Sequence, residues 1–485
     1  MKRFLVCALT VLTPSFAWAG GFEFPDNGTE ALGRGGAFTA KADNGLAIEY
    51  NVAGLARQRG THLLFDANLS FHTYEFQRSG VYPGNSGDAN TPYAGMPFPK
   101  VANNGGPFFA PFFAVSTDFG FFDRWTFAIG AYGPSAIGNR AYPTTVNGML
   151  PAPQRYDLTK ANLLLVFPTI AASVRATRWM DLGLAVQVVY GNFDLGNVSE
   201  IDLGRGVCPS PEYAPCDGAT SIKTDGVTAT VEMGAMFHPV RGLHLGINVR
   251  PQVDVNTTGT VTATPPKAQP IAISPARAEF QSHLPWVVRF GARYAFEDRN
   301  RFEHGDIEVD ATYESWGQAE GKGDTLTLPD GLAIFTYQNP ALIQHNYQDT
   351  FSIRVGGQFN QPIPHGALHF RGGLYYDSNA TRYKDTRLDF DTMQKYGFCA
   401  GLGFTIRGIS FNLAYAYVYS PDRNVTNGDV RLLNGVNLST VDATGAPTPV
   451  VNNGLYHANT QVVSFGLQVA WEDLLNRHKR TIRYQ

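Results

Sequence analysis

The chain has 485 residues with a formal net charge of −3, and only 16% of them are charged. A weakly acidic chain of this kind offers no basic surface for nucleic acid, and no run of about 18 apolar residues follows the N-terminus from which a transmembrane helix could form. Charged residues are scarce against the typical ~25%, whereas aromatic residues reach 13% and glycine counts 51. This composition fits a membrane β-barrel, whose strands alternate apolar and polar side chains.

The first nineteen residues are predicted to be a secretory signal peptide. Lys2 and Arg3 supply positive charge, residues 4–12 form an apolar core, and the Ala-Trp-Ala sequence at 17–19 is a small-x-small cleavage site. The apolar core is too short to span a bilayer, so we expect cleavage before Gly20.

The next segment, residues 20–60, is too rich in glycine for a regular strand and too polar for a membrane helix. It contains Gly33-Arg34-Gly35-Gly36, which lacks the Gly-Lys-Ser/Thr ending and the preceding strand of a phosphate-binding loop. Its glycines would let a compact chain turn repeatedly where side chains would clash.

From residue 61 onward, apolar side chains recur at every second residue, as in β-strands. In the last strand, alternate residues from Val463 to Trp471 are all apolar, and those between them are small or polar. Fourteen strands are predicted, over residues 61–77, 108–119, 124–134, 161–176, 180–194, 224–238, 241–258, 283–297, 304–316, 347–360, 366–378, 394–407, 409–421 and 454–471.

The connections between these strands alternate between long and short. An even number of strands with long loops at one end and tight turns at the other is typical of an outer-membrane barrel. The predicted fold class is therefore an all-β membrane protein, a 14-stranded antiparallel transmembrane barrel over residues 61–471. The tight turns would face the periplasm, so segment 20–60 would lie on the periplasmic side or inside the lumen.

Charged residues on the strands are predicted to face the lumen, because a charge facing lipid costs about 2–4 kcal/mol near the midplane. The predicted lumen residues are Glu232, Arg289, Arg293, Asp306, Glu308, Asp310, Arg354 and Arg371. The three acidic residues at 306–310 could suggest acid–base or metal chemistry, but their every-second-residue spacing favours lumen lining paired with arginines. No nucleophile–base set and no metal-binding spacing occurs, so no catalytic activity, metal or cofactor is expected.

Cys208 and Cys216 bracket a loop, and in a secreted chain they are predicted to form a disulfide. Two thiols alone do not complete a zinc site. The long loops at 81–99 and 142–153 contain apolar residues. These residues could form an interaction site or pack loop against loop, and both alternatives stay open.

Residues 31–57, "ALGRGGAFTAKADNGLAIEYNVAGLAR", and later segments such as "LPWVVRFGARYAF", "DIEVDATYESW" and "HFRGGLYYD" are similar to those of a known family. The chain resembles the FadL-type (TodX-type) outer-membrane transporters of long-chain fatty acids and other hydrophobic compounds. The resemblance implies a 14-stranded barrel plugged by an N-terminal hatch at residues 20–60. It implies the hatch or gating residues Gly33, Arg34, Gly35, Phe38, Asn51, Val52, Ala53 and Gly54.

The resemblance also implies transport by diffusion. A ligand would be captured among the extracellular loops, pass the hatch and leave sideways at an inward kink of the third strand. A kink needs broken strand pairing, and Gly133-Pro134 is the candidate; the alternative is a simple strand end. The expected partners are a fatty acid or other hydrophobic ligand, outer-membrane lipid and lipopolysaccharide, with the protein in the outer membrane as a monomer.

Two departures from the family pattern affect these expectations. The family's Asn-Pro-Ala is Asn51-Val52-Ala53 here, and valine neither restricts φ nor removes a donor as proline does, so hatch gating is expected to differ. A polar tail at 472–485, expected in the periplasm, follows the last strand.

The identity of the ligand is left open. If the ligand is a carboxylate, Arg155 and Lys160 are the candidate contacts. A general diffusion porin for hydrophilic solutes and a surface adhesin or receptor are the alternative functions.

Overall fold

The structure is a computed structural model that describes residues 26–133, 139–202, 206–270, 272–299, 302–321, 323–330, 341–343, 345–389, 393–433, 440–441 and 445–472. The predicted signal peptide, residues 20–25 of the predicted hatch, Pro134 and the tail beyond residue 472 lie outside these ranges. Within them, no helix has the length and apolar character needed to cross a bilayer.

The described residues are mostly β-strand. The strands are β1 Thr61–Arg78, β2 Lys100–Ala102, β3 Phe108–Thr117, β4 Trp125–Tyr132, β5 Asn139–Ala141, β6 Thr145–Val146, β7 Leu150–Pro151, β8 Lys160–Arg175, β9 Met180–Glu200, β10 Asp217–Val240, β11 Leu243–Arg250, β12 Val253–Ala263, β13 Ala276–Leu284, β14 Val287–Glu297, β15 Glu303–Glu314, β16 Asp324–Thr327, β17 Ala341–Ile343, β18 Thr350–Ile363, β19 Gly366–Asp377, β20 Lys395–Ile406, β21 Ile409–Val425 and β22 Gly454–Ala470. The α-helices are α1 Thr29–Gly33, α2 Ala47–Tyr50 and α3 Trp316–Glu320, and short 3₁₀ helices cover Val52–Arg57, Ala214–Cys216 and Tyr383–Asp385.

All of these strands except β6 and β7, which pair only with each other, form one closed antiparallel sheet. The first and last strands pair along their whole length, from His62 opposite Ala470 to Arg78 opposite Gly454. Four barrel strands are built from two pieces each, namely β2 with β3, β4 with β5, β11 with β12, and β13 with β14. Counted in this way, and with the short loop strands β6, β7, β16 and β17 left out, the barrel has fourteen strands, which confirms the predicted fold class.

The two faces of the barrel have opposite polarity. Large apolar side chains point outward and are exposed, as at Ile170 (68%), Leu374 (57%) and Phe465 (58%). Polar residues point inward, and all eight predicted lumen residues are no more than 8% exposed. Exposing this much apolar surface to water would cost about 25 cal/mol per Å². The outer face therefore matches lipid, and the polar inner face matches the interior of an outer-membrane barrel.

The loops at the extracellular end pack against one another. Cys208 and Cys216 form a disulfide with an S–S distance of 2.12 Å. In the loop after β1, the ring of Tyr82 lies 4.9 Å from that of Tyr93 and 4.6 Å from that of Phe98, measured between centroids. Loop packing therefore accounts for these aromatic residues, whereas Met149 remains 81% exposed.

Candidate functional site

The N-terminal segment 26–60, which we call the hatch, contacts the inner wall on several sides. The backbone N–H of Thr29 donates to Asp66 Oδ2 of β1 at 3.0 Å. Asn51 Nδ2 donates to the carbonyl of Ala235 in β10 at 3.2 Å. Because these two strands lie far apart around the closed sheet, the hatch crosses the lumen.

Arg34 ties the hatch to β15 through two buried ion pairs. Its Nη1 lies 2.6 Å from Asp306 Oδ1 and its Nη2 lies 3.0 Å from Glu308 Oε2, and all three side chains are fully buried. Burial opposes the charge of Arg34, but Asp306 and Glu308 more than offset this and raise the pKa of the guanidinium above its ordinary value. The arginine therefore stays charged inside the lumen.

Carboxylates of the same strand also accept hydrogen bonds from the hatch backbone. Glu308 Oε1 accepts hydrogen bonds from the N–H groups of Ala40 at 2.6 Å and Lys41 at 3.1 Å. Asp310 Oδ2 accepts from the N–H of Thr39 at 2.8 Å. The acidic residues of β15 thus hold the hatch in place, which agrees with a structural role rather than acid–base catalysis.

Glycines in the barrel wall allow the hatch backbone to pack very close to the wall. A Cβ at Gly356 in β18 would lie 2.0 Å from the carbonyl oxygen of Arg34, and one at Gly183 in β9 would lie 2.5 Å from the backbone N of Ala53. Gly33 and Gly35 of the hatch meet the wall in the same way, since their Cβ atoms would lie within 3.0 Å of the backbone of β20 and β19. The glycines of the hatch were predicted from the sequence to allow tight turns, whereas the role of the wall glycines was not predicted.

The Asn51-Val52-Ala53-Gly54 sequence begins a 3₁₀ helix. Asn51 caps it, since its Oδ1 accepts from the N–H of Ala53 at 3.2 Å. Val52 is the first residue of the helix and is fully buried. A Cβ at Gly54 would lie 2.0 Å from the carbonyl oxygen of Ala42, so glycine is required there.

The apolar part of the hatch packs around Phe38. Its ring lies 5.5 Å from that of Tyr50 in an edge-to-face arrangement. Ile48 of α2 packs closely against β4 at Gly130, where an added Cβ would lie only 2.4 Å from Ile48 Cδ1. The apolar residues of the hatch therefore pack with the apolar residues of the inner wall in one cluster.

A cavity of about 480 Å³ lies among the extracellular loops. Part of its lining is apolar and comes from the loop before β8, from β9, β10, β12 and β13, and from β16, β17 and the residue after β16. These residues are Leu158, Leu195, Ile222, Val261, Phe280, Leu326, Leu328, Ala341 and Ile343. Another part is charged or polar, and it comprises Asp157, Asp324, His345, Asn346, Asp385, Arg387, Asp389, Asp429 and Arg431.

The charged side of the cavity is a connected network. His345 Nε2 lies 2.9 Å from Asp389 Oδ2, and Arg387 Nε lies 3.2 Å from the same oxygen. Arg387 also lies 3.4 Å from Asp157 Oδ1. Burial raises the pKa of Asp157 to about 6, against the opposing effect of Arg387. A cavity lined by both apolar and charged residues suits an amphipathic ligand.

The two cations expected to meet a ligand carboxylate are placed elsewhere. Arg155 is buried and its Nε pairs with Asp217 Oδ2 at 2.7 Å. Lys160 pairs with Asp194 at the start of β8. Neither lines the cavity, whose arginines are Arg387 and Arg431.

The third barrel strand is interrupted next to Gly133. β4 ends with Tyr132 opposite Phe167 of β8, and β5 resumes with Asn139 opposite Asn162. The register shifts by two residues between these pairs, because Tyr132 and Asn139 are seven positions apart in the chain whereas Phe167 and Asn162 are five. A Cβ at Gly133 would lie 2.3 Å from the carbonyl oxygen of Leu165. Pro134, the second residue of the predicted kink, lies outside the described residues.

Three stacked aromatic rings lie at this interruption. The ring of Tyr132 lies 5.3 Å from Phe112 of β3 and 5.4 Å from Phe167 of β8, with interplanar angles of 12° and 13°. These three rings, which we call the aromatic stack, are all buried. The stack belongs to one apolar cluster that also contains Ile48 of the hatch and Phe280 of the cavity wall.

The apolar outer face places this closed 14-stranded barrel in a membrane, and its own N-terminal segment fills the lumen. Together with the amphipathic loop cavity, these features define a plugged outer-membrane transport barrel. A sequence model of the family described as "Outer membrane protein transport protein (OMPP1/FadL/TodX)" matches residues 10–448. The chain belongs to this family, and it is an outer-membrane transporter of hydrophobic compounds.

Solved structures of the same fold agree with this assignment. A FadL homologue from Pseudomonas aeruginosa has a TM-score of 0.73 at 15% identity, covering 93% of this chain and 100% of that chain. The toluene transporter TodX from P. putida has a TM-score of 0.62 at 15% identity, and TbuX from Ralstonia pickettii has 0.61 at 14%; each covers 91% of this chain and 98% of the other. A comparison with curated protein sequences finds no match.

Proposed function

We propose that this chain takes an amphipathic or hydrophobic molecule from its extracellular cavity to the interruption of the third barrel strand, where the molecule leaves sideways into the outer membrane. The observation that carries the proposal is the single apolar cluster joining Phe280 of the cavity wall, Ile48 of the hatch and the aromatic stack. A ligand moving along this cluster would stay in apolar surroundings throughout.

The interruption offers a physical reason for a sideways exit. On the neighbouring strand, the β3–β4 ladder begins at Phe113 opposite Ala131, whereas β3 already pairs with β1 from Phe108 onward. Among the described residues, 108–112 therefore have ladder partners on the β1 side only. A ligand that passes between the barrel strands here breaks no hydrogen bond of the described ladder.

Hatch movement would control this route. Ile48 of α2 lies against β4 at Gly130 and belongs to the same apolar cluster as the aromatic stack, so displacement of α2 would loosen the packing around Tyr132. The ion pairs of Arg34 hold the other part of the hatch, so we propose that α2 shifts while α1 stays docked on the wall.

The ligand class is proposed from the cavity and from the relatives. Two relatives are toluene transporters and another is a FadL homologue. We propose a long-chain fatty acid or another hydrophobic molecule, with outer-membrane lipid and lipopolysaccharide around the barrel and a monomer as the working form. The filled lumen argues against a general diffusion porin, because residues 29–42 are all buried.

Uptake measurements test this proposal. Cells that lack their own channels of this class would be compared with and without the chain, using a radiolabelled long-chain fatty acid and toluene. We expect faster uptake of at least one of them when the chain is present, and a low conductance for salt in planar bilayers. Equal uptake with a large steady conductance would favour a porin instead.

A further inference from the structure

We infer that the extracellular cavity prefers amphiphiles whose polar group donates hydrogen bonds, an alkylammonium above all, over carboxylates with the same tail. This inference rests on the proposed function and assigns the ligand's polar group. Of the two ligand classes proposed above, it favours a hydrophobic molecule other than a fatty acid, because most of the charged residues that line the cavity are acidic.

Two of the three cations that line the cavity, Arg387 and His345, are already paired with acids. Arg387 lies within 3.4 Å of both Asp157 and Asp389. His345 lies 2.9 Å from Asp389 through Nε2 and 3.9 Å from Asp324 through Nδ1. A ligand carboxylate that binds Arg387 or His345 would have to displace a protein carboxylate from it.

Asp385 provides the acceptor for a ligand donor. It lines the cavity and is only 4% exposed. Its Oδ1 accepts a hydrogen bond from Asn346 Nδ2 at 2.9 Å, and its Oδ2 has no hydrogen-bond partner among the described residues. A buried carboxylate oxygen without a donor is unfavourable. An ammonium group carries three donors and the complementary charge, whereas a carboxylate carries no donor.

Arg431 is the group that could favour a carboxylate. It lines the cavity and donates from Nη1 to the carbonyl of Thr448 at 2.7 Å. Its acidic neighbour on the cavity wall, Asp429, pairs with Lys384 at 2.9 Å. Carboxylate binding at Arg431 is therefore the competing outcome that the experiment must be able to detect.

The tail of such a ligand would lie against the apolar part of the lining, which includes Leu158, Phe280 and Leu326. Phe280 and Leu326 belong to the same apolar cluster as the hatch. The cavity would therefore hold the polar group near Asp385 and direct the tail toward the barrel interior.

Binding of matched ligands tests the inference. The full chain in lipid nanodiscs would be titrated with octylammonium, octanol and octanoate at pH 8, and empty nanodiscs would correct for partition into lipid. We expect octylammonium to bind at least about ten-fold more tightly than octanoate, with octanol between them, because a charge-assisted hydrogen bond contributes about that factor.

Two variants locate the preference. Asp385→Asn should weaken octylammonium about ten-fold and change octanol less than about two-fold. Asp429→Asn removes the same charge from the same wall and should keep the preference. Retained octanol binding also reports that each variant is folded.

Three results would overturn the inference. Octanoate could bind as tightly as octylammonium, Asp385→Asn could keep the full preference, or none of the three compounds could bind. Tighter octanoate binding that Arg431→Gln abolishes would leave the proposed transport function in place, whereas the absence of all binding together with equal uptake by cells would refute both.

Discussion

Arg34 of the hatch and Glu308 of β15 form an ion pair of 3.0 Å between Nη2 and Oε2, and both side chains are fully buried. The two residues are 274 positions apart in the chain. A buried pair gains little net stability over an apolar pair of the same shape, but removal of one partner leaves an uncompensated charge. The pair therefore specifies where the hatch docks in the lumen.

Arg34→Met should loosen the hatch and leave the barrel closed. The change leaves Glu308 without its cation, a loss of about 3–5 kcal/mol, whereas Asp306 keeps its ion pair with Arg293. The N–H groups of Thr39 and Ala40, which donate to β15, should then exchange with deuterium at least about a hundred-fold faster.

Lys100→Met is the matched control for this change. It breaks the exposed pair between Lys100 and Glu75 and should alter hatch exchange very little, since exposed pairs contribute about 0–1 kcal/mol. Equal exchange in Arg34→Met and the wild type would contradict the role assigned to the Arg34 ion pairs.

Val52→Pro should be tolerated. Val52 is the first residue of a 3₁₀ helix, the position at which proline is favoured because its fixed φ suits the helix start. We expect a change in the free energy of unfolding within about 1 kcal/mol. Ala53→Pro is the contrasting variant, since it removes the N–H that donates to Asn51 Oδ1. If Val52→Pro destabilised the protein as much as Ala53→Pro, the assignment of Val52 to the helix start would be wrong.

Locking α1 of the hatch to the wall tests which part of the hatch moves. Thr29 Oγ1 lies 2.8 Å from Ser464 Oγ of β22, so cysteines at both positions should form a disulfide. If only α2 shifts during transport, the oxidised double variant should keep at least about half of the wild-type uptake, because the lock adds no barrier to α2. Complete loss of uptake that returns on reduction would show instead that α1 must move. The Thr29→Cys single variant controls for reduction of the Cys208–Cys216 disulfide.

The aromatic stack should limit the sideways exit. Tyr132→Ala removes the central ring and would leave a cavity between Phe112 and Phe167 at the interruption of the strand. We expect faster toluene uptake from this variant. Tyr132→Phe keeps the stack and loses only the hydroxyl that accepts from Gln187 Nε2 at 2.8 Å, so its uptake should stay near wild type. Unchanged uptake in Tyr132→Ala would place the exit elsewhere.

Binding of an alkylammonium should weaken as the pH falls from about 8 to about 5. The pKa of Asp157 is raised to about 6 by burial, so this carboxylate becomes neutral within that range, and the cavity wall loses negative charge. The charged groups that face it are Arg387, Asp389 and His345. Octanol binding should not follow the same change, and Asp157→Asn should flatten the pH dependence of octylammonium binding.

The same raised pKa has a consequence for stability with a definite sign. An acid whose pKa is higher in the folded state binds its proton more tightly there than in the unfolded chain. The contribution of Asp157 to stability should therefore increase as the pH falls through about 6. The difference in unfolding midpoint between wild type and Asp157→Asn, measured across this pH range, checks the sign.

Much of the barrel follows from the sequence alone, because strand periodicity is a local property. The two-residue alternation predicted the fourteen strands and the eight lumen residues, and each of those residues is buried. The acidic residues of β15 were among those predicted to line the lumen, and the glycines of the hatch were recognised from local composition. The strand predictions succeed because the direction of a side chain depends only on its place along the strand.

The contacts of those residues depend on tertiary structure. That Arg34 meets Asp306, or that Gly356 faces the hatch backbone, depends on how segments hundreds of residues apart are packed. The aromatic stack likewise joins three different strands. Strand periodicity predicts that a side chain points inward, but it does not identify the partner across the lumen.

The loop cavity is the clearest case of this limit. Arg155 and Lys160 were predicted to meet a ligand carboxylate, yet they pair with Asp217 and Asp194. A charged side chain interacts with the opposite charge that lies within a few ångströms of it, and long loops bring those charges together only when they fold. The sequence thus determined the barrel, the lumen-facing residues and the family, whereas the tertiary structure decided which charges line the cavity and remain available to a ligand.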